Sequence, residues 1–236
     1  MTSGTYEQIT AADGGVFHAY LATPAGGPAP GVLVFQEIFG INDNIRGLCD
    51  RLAEAGFLAL APDVFWRIEP RFERRDESGM AEGMAHVQQL DFAQVEADLT
   101  ATMAHLLALP GCSGKVGGVG FCLGGSLAFL CAAGCRVDGK GPDAMVAYYG
   151  SAIGGMLDRA ASIDCPMLFH YGDEDPYIPA DQVAAVEAAM AGKDATFEHY
   201  AAGHAFSNWD APSLYNEAAA AQAWPRTIAF LHQHLG

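Results

Sequence analysis

Long apolar runs are missing from this 236-residue chain. The longest, such as 57–61 and 127–133, fall far short of a bilayer's thickness, and no basic N-terminal region followed by an apolar segment opens the sequence. Basic residues are scarce as well: 12 Lys and Arg stand against 28 Asp and Glu, a formal net charge of −16. A surface of that sign repels nucleic acid and anionic lipid, so neither a nucleic-acid nor a membrane partner is expected. The six cysteines (Cys49, Cys112, Cys122, Cys131, Cys135 and Cys165) contain no C-x-x-C pair. They read as reduced thiols of a cytoplasmic protein rather than a disulfide frame, and Cys131-x-x-x-Cys135, with no His pair nearby, reads as packing rather than a metal clip. Phosphate-cradling loops are absent too: there is no G-x-x-x-x-G-K-[ST], and 118–124 lacks the spacing of G-x-G-x-x-G.

What is present is an alternation of short β-branched or aromatic runs with longer segments of helical apolar spacing, the pattern of a parallel sheet wrapped by helices. With 51% hydrophobic residues, one α/β domain over 1–236 can bury its own core. The opening 6–23 alternates in period two about Asp13-Gly14-Gly15, predicting an antiparallel edge hairpin. Parallel strands are expected at 31–36, 57–60, 116–119, 144–149, 167–171 and 196–200. Helices are expected at 43–55, with Asp43 as its cap, and at 84–109, 123–133, 180–190 and 214–234. A charged, irregular insert over 63–80 has the length of a lid or pocket wall.

The most informative segment is Gly120-Phe121-Cys122-Leu123-Gly124-Gly125, where a strand-like run turns directly into a helix. Such a Gly-flanked turn forces its central residue into strained backbone and exposes it at a helix N-terminus, where unpaired N–H groups favour a thiolate or an oxyanion. A buried structural cysteine is the plainer alternative, since cysteine is among the most buried residues.

A thiol nucleophile needs a base and a group to orient it. Asp175 lies in the loop 171–179 after one predicted strand, and His204 lies in Ala202-Gly203-His204-Ala205-Phe206 after the next. Asp173 and His199 are their nearest rivals. Nucleophile, acid and histidine in that order, each beyond a strand, is the order of the α/β-hydrolase triad. Glu37, in Gln36-Glu37-Ile38-Phe39-Gly40, ends the first parallel strand. That loop and the residue after the nucleophile supply oxyanion-hole amides in such folds, which points to the N–H groups of Ile38 and Leu123. Glu37 itself reads equally as an auxiliary acid near the thiol or as a carboxylate near the next helix N-terminus.

These motifs, with Tyr148-Tyr149-Gly150 and Gly172-x-x-Asp175-x-x-x-Pro179, resemble the dienelactone hydrolase (carboxymethylenebutenolidase) family, a cysteine-nucleophile branch of the α/β-hydrolases. The resemblance implies a Cys122-His204-Asp175 triad and an acyl-cysteine intermediate. It implies that Glu37 keeps the thiol protonated or turned away until substrate arrives, and that no metal or organic cofactor is needed. The family's substrate-clamping arginines are replaced here by Asn208 and Met80, with Arg67, Arg71, Arg74 and Arg75 near enough in sequence to substitute. Phe39, Tyr148 and Asn208 are taken as substrate contacts, with Tyr149, Phe206 and Trp209 as further pocket aromatics. The expectation is a hydrolase of small esters or lactones, monomeric or a small homo-oligomer, whose rate falls as pH drops through the histidine range near ~6.5. A thioesterase or general carboxylesterase would use the same residues; a non-hydrolytic ligand-binding or redox-responsive module is the alternative of another class.

Overall fold

A computed structural model of the chain describes residues 4–75 and 77–236; position 76 of the charged insert and the first three residues of the 1–236 span lie outside them. Among the described residues eight strands form one sheet in the order β1-β2-β4-β3-β5-β6-β7-β8. The strands are β1 Thr5–Thr10, β2 Val16–Ala22, β3 Ala29–Phe35, β4 Leu58–Pro62, β5 Cys112–Phe121, β6 Ala144–Tyr148, β7 Met167–Gly172 and β8 Ala195–Tyr200. β1 and β2 pair antiparallel about the Asp13-Gly14-Gly15 turn, and β2 joins β4 antiparallel; the other pairings are parallel. The architecture is α/β with an antiparallel edge hairpin.

Among the described residues there are six α-helices, five between strands and the last after β8: α1 Asp43–Glu54, α2 Met80–Val87, α3 Phe92–Ala108, α4 Leu123–Gly134, α5 Ala180–Ala189 and α6 Glu217–Leu235. α4 is buried on every face from Leu123 to Ala133, as its unbroken apolar sequence requires. It is the central helix of the molecule, leaving the C-terminal end of β5, which lies between β3 and β6.

Three sequence expectations are corrected. Asn42, not Asp43, caps α1, its side chain accepting from the Ile45 N–H at 3.1 Å; Asp43 pairs instead with Arg46. The single helix expected over 84–109 is two. The Asp91 carboxylate accepts from the N–H groups of Ala93 and Gln94 and starts α3 afresh, so a cap overrides an apolar periodicity that runs through the break. The last helix begins at Glu217, not at 214, because the Asn216 side chain accepts from the Ala219 N–H.

The charged insert is tied down, and its last residue, Met80, lines a cleft. Asp63 accepts from the N–H groups of Phe65 and Arg71, Glu73 bridges to Gly40, and the Arg74 N–H donates to the Phe39 carbonyl. It therefore braces the loop after β3 from behind.

Candidate active site

Every chemically interesting residue of the chain leaves the C-terminal edge of the parallel sheet. Glu37 and Ile38 follow β3, Cys122 follows β5, Tyr149 follows β6, Asp175 follows β7 and His204 follows β8. The strand order brings these loops side by side, where ligands bind in open α/β sheets.

The turn at Cys122 is as sharp as its glycines suggest. Cys122 has φ 54° and ψ −115°, a region that costs an ordinary residue on the order of 1–3 kcal/mol. The turn is held by the Cys122 N–H donating to the Tyr148 carbonyl at 3.1 Å. A methyl group at Gly120 would lie 1.8 Å from the Gly124 carbonyl oxygen, and one at Gly124 would lie 2.1 Å from that of Phe35. Only glycine allows strand and helix to approach so closely. Tyr149 and Ala205, beside this site, are also non-glycine residues with positive φ, as are Arg71 and Asp138 elsewhere.

The sulfur, partly exposed, points at the histidine: His204 Nε2 lies 3.1 Å from Cys122 Sγ. His204 Nδ1–H donates to Asp175 Oδ2 at 2.7 Å, and the other oxygen of Asp175 accepts from the Tyr177 N–H at 2.8 Å. The Asp175 side chain is wholly buried, so both ring nitrogens of His204 have fixed partners. Burial alone would lower the His204 pKa, but the charge of a Cys122 thiolate, the hydrogen bonds to Asp175 and Cys122, and the Asp175 charge together push it up to about 10. That value favours imidazolium beside sulfur. The rivals lie apart: His199 Nδ1 sits 2.9 Å from Asp173 on the exposed side of β8.

Glu37 is buried beside this group. Tyr149 donates to its Oε1 at 3.3 Å and Asn208 donates to its Oε2, while Ser207 Oγ lies 2.7 Å from the Tyr149 hydroxyl. Burial pushes the Glu37 carboxyl up to about 7 against the opposing pull of the His204 charge and of these hydrogen bonds. The sulfur faces His204 while the Glu37 oxygens face Tyr149 and Asn208, so this arrangement does not turn the thiol away.

A cleft of about 280 Å³ opens over the sulfur. Ile38 and Leu123 line it beside Cys122, and Leu123, as the first residue of α4, has no intrahelical acceptor for its N–H. Phe39 lines the cleft, but Tyr148 and Asn208 do not, which corrects both as substrate contacts. Tyr148 points behind the sheet edge, its hydroxyl 2.6 Å from Thr227 Oγ1, and Asn208 is spent on Glu37. Tyr149, Phe206 and Trp209 are likewise absent from the lining. Sequence reasoning missed most of the wall: Met84, Val87, Phe92, Tyr177 and Leu214. The i, i+4, i+7 spacing of Met80, Met84 and Val87 carried a signal for part of it; Tyr177 and Leu214 arrive from distant loops with none. None of the four arginines considered as substitutes reaches the cleft. Arg67 pairs with Asp98 at 2.8 Å and Asp13 at 2.7 Å, Arg74 with Glu82, and Arg75 lies 3.8 Å from Asp43; Arg71 stacks over Tyr6.

A mostly parallel sheet whose C-terminal edge carries a strained elbow, then an acid, then a histidine defines an α/β-hydrolase. Within that class the chain belongs to the dienelactone hydrolase family, which its residues 17–235 match. It is 36% identical to the carboxymethylenebutenolidase of Pseudomonas sp. strain P51, over 89% of this chain and 87% of that one. It is 39% identical to a provisionally named carboxymethylenebutenolidase of Azospirillum brasilense, covering 97% and 98% of the two. The crystal structure of a provisionally named dienelactone hydrolase from Klebsiella pneumoniae superposes with a TM-score of 0.84 at 32% identity, over 98% of this chain and 99% of that one. The protein is a hydrolase of the dienelactone hydrolase kind, acting on esters or lactones. No helix among the described residues is long and apolar enough to cross a membrane.

Proposed function

We propose that this hydrolase works through an acyl-cysteine formed on Cys122, with His204 as proton carrier and Asp175 as its orienting acid. The observation that carries the reading is the 3.1 Å contact between Cys122 Sγ and His204 Nε2 at the floor of the cleft.

The sulfur lone pair attacks the ester or lactone carbonyl carbon, and the carbonyl π electrons move onto oxygen. The N–H groups of Ile38 and Leu123 take that oxyanion; losing one such donor typically removes ~3 kcal/mol of transition-state stabilisation. Collapse breaks the bond to the alkoxide, which leaves with the proton of His204 Nε2 and creates a thioester. A thioester sulfur carries no charge, so the largest influence raising the His204 pKa disappears at this step. The ring becomes neutral and can take a proton from the attacking water, whose oxygen adds to the thioester carbonyl. Cys122 then departs as thiolate beside the re-formed imidazolium. Asp175 holds the Nδ1–H throughout, and Glu37 adds a titratable carboxyl whose charge steadies the imidazolium when ionised.

Alkylation tests the assignment. Iodoacetamide should label Cys122 ahead of Cys49, Cys131 and Cys135, which are buried, and turnover should fall in parallel with Cys122 labelling. Full turnover after complete labelling of Cys122 would overturn it.

A further inference from the structure

The wall of the cleft bears on which esters enter it. None of the chain's twelve Lys and Arg residues is among those lining it, and among the described residues the only ionisable side chains there are Glu37, Cys122, Tyr177 and His204. Any positive charge of His204 is already held between the Cys122 sulfur and the Asp175 carboxylate. The rest of the lining is largely aliphatic, aromatic or thioether.

The mouth is apolar in an unusual way. Met84 is 44% exposed, Phe92 36% and Tyr177 59%, and all three rim this cleft. Large apolar side chains left in water together mark a surface that a ligand covers. α2 presents Met80 and Met84 one turn apart, and thioethers adapt their shape to an apolar guest. The helix is seated directly on the oxyanion loop, since a methyl group at Gly83 would lie 2.3 Å from the Ile38 carbonyl oxygen.

We infer that the cleft selects uncharged esters or lactones with apolar substituents and discriminates against carboxylate-bearing ones, with Met80 and Met84 of α2 as the residues that set this preference. The inference rests on the ester or lactone hydrolysis proposed above and names its substrate class. A carboxylate entering here would lose its water without gaining a guanidinium or ammonium, and would face the Glu37 carboxyl. An apolar arm would cover Met80, Met84 and Phe92 instead.

Two matched substrate pairs test it on the intact protein: 4-nitrophenyl valerate against the 4-nitrophenyl monoester of glutaric acid, and phenyl acetate against 4-acetoxybenzoate. The first pair places the charge on the acyl side and the second on the leaving group. The uncharged member of each pair should show the higher kcat/KM, by about 100-fold, as expected when a charge is desolvated without a partner. Met80→Arg should narrow the gap at least tenfold in one pair while Met80→Leu preserves it. Should Met80→Arg fail to fold, Met84→Arg, on a more exposed position, serves the same comparison. Equal or faster turnover of a carboxylate member overturns the inference and leaves hydrolysis standing, and a gap that neither arginine variant narrows removes α2 as its determinant. No turnover of any of the four substrates would count against the hydrolytic reading itself.

Discussion

The floor of the cleft and its wall are built by opposite rules. On the floor, Cys122, His204, Asp175 and Glu37 hang from strand ends, and each has at least one hydrogen-bond partner with a polar side chain. On the wall, Met80, Met84 and Phe92 project from α2 and the start of α3, and the last two stand partly in water. Side chains over-determined by backbone and hydrogen bonds tolerate little change, whereas a helix face can be rewritten without moving the sulfur. The comparison teaches that a polar, hydrogen-bonded floor and an apolar wall are built by separable parts of one cleft.

The sharpest way to break that division is to damage the floor and see whether the wall can compensate. Cys122→Ala should lower kcat by about 10⁴-fold or more, with circular dichroism and melting temperature close to wild type; substantial residual turnover would move the nucleophile elsewhere. Asp175→Asn should keep the ring near the sulfur but favour the wrong tautomer, lowering kcat by about 10³- to 10⁴-fold.

A pH series sharpens the same picture. The free enzyme's His204 is raised to about 10, so kcat/KM, which reports the free enzyme, should fall as pH rises through about 10, when the proton for the leaving group is lost. In the acyl-enzyme the sulfur charge is gone, so kcat under deacylation-limited conditions should fall as pH drops through the ordinary histidine range. Glu37 titrates close by, and the kcat limb should persist in Glu37→Gln if His204 owns it.

Stability separates floor from wall as well. Glu37 has an ordinary value of 4.5 and is raised to about 7 in the fold. Below 4.5 both folded and unfolded chains hold the proton; between 4.5 and 7 only the folded chain does. Stability therefore falls across that window as pH rises, by up to about 3 kcal/mol. Glu37→Gln should raise the melting temperature at pH ~8 and do little at pH ~4; an equal change at both would deny the buried carboxyl this role. The smallest effect belongs to the wall: Met84→Ala should reduce kcat/KM for an apolar ester only about fivefold, the loss of roughly one buried methylene or a little more.

How much of this was legible in the sequence follows the same division. The floor was readable because its signals are short and local: glycines flanking Cys122, a Gly-flanked His204, an acidic turn around Asp175, each just past a strand. The wall was not, since Tyr177 and Leu214 meet Met84 only after the chain has folded. The apolar spacing of 84–109 concealed the break between α2 and α3, where Asp91 was the one indication. Two substrate contacts went to the wrong neighbour for a geometric reason. Tyr148 belongs to β6 and points away from the cleft, and the strained Tyr149 beside it turns toward Glu37; Asn208 braces Glu37 from behind instead of facing the cleft.

The central claim is that the Cys122 sulfur carries the acyl group, and trapping it is the most direct test. 4-Nitrophenyl valerate mixed with the protein, quenched in acid within the first turnover and analysed by intact mass and peptide mapping, should give a valeryl adduct on Cys122 that is absent from Cys122→Ala. Burst release of 4-nitrophenol with the adduct on another residue, or wild-type hydrolysis by Cys122→Ala, would contradict the account.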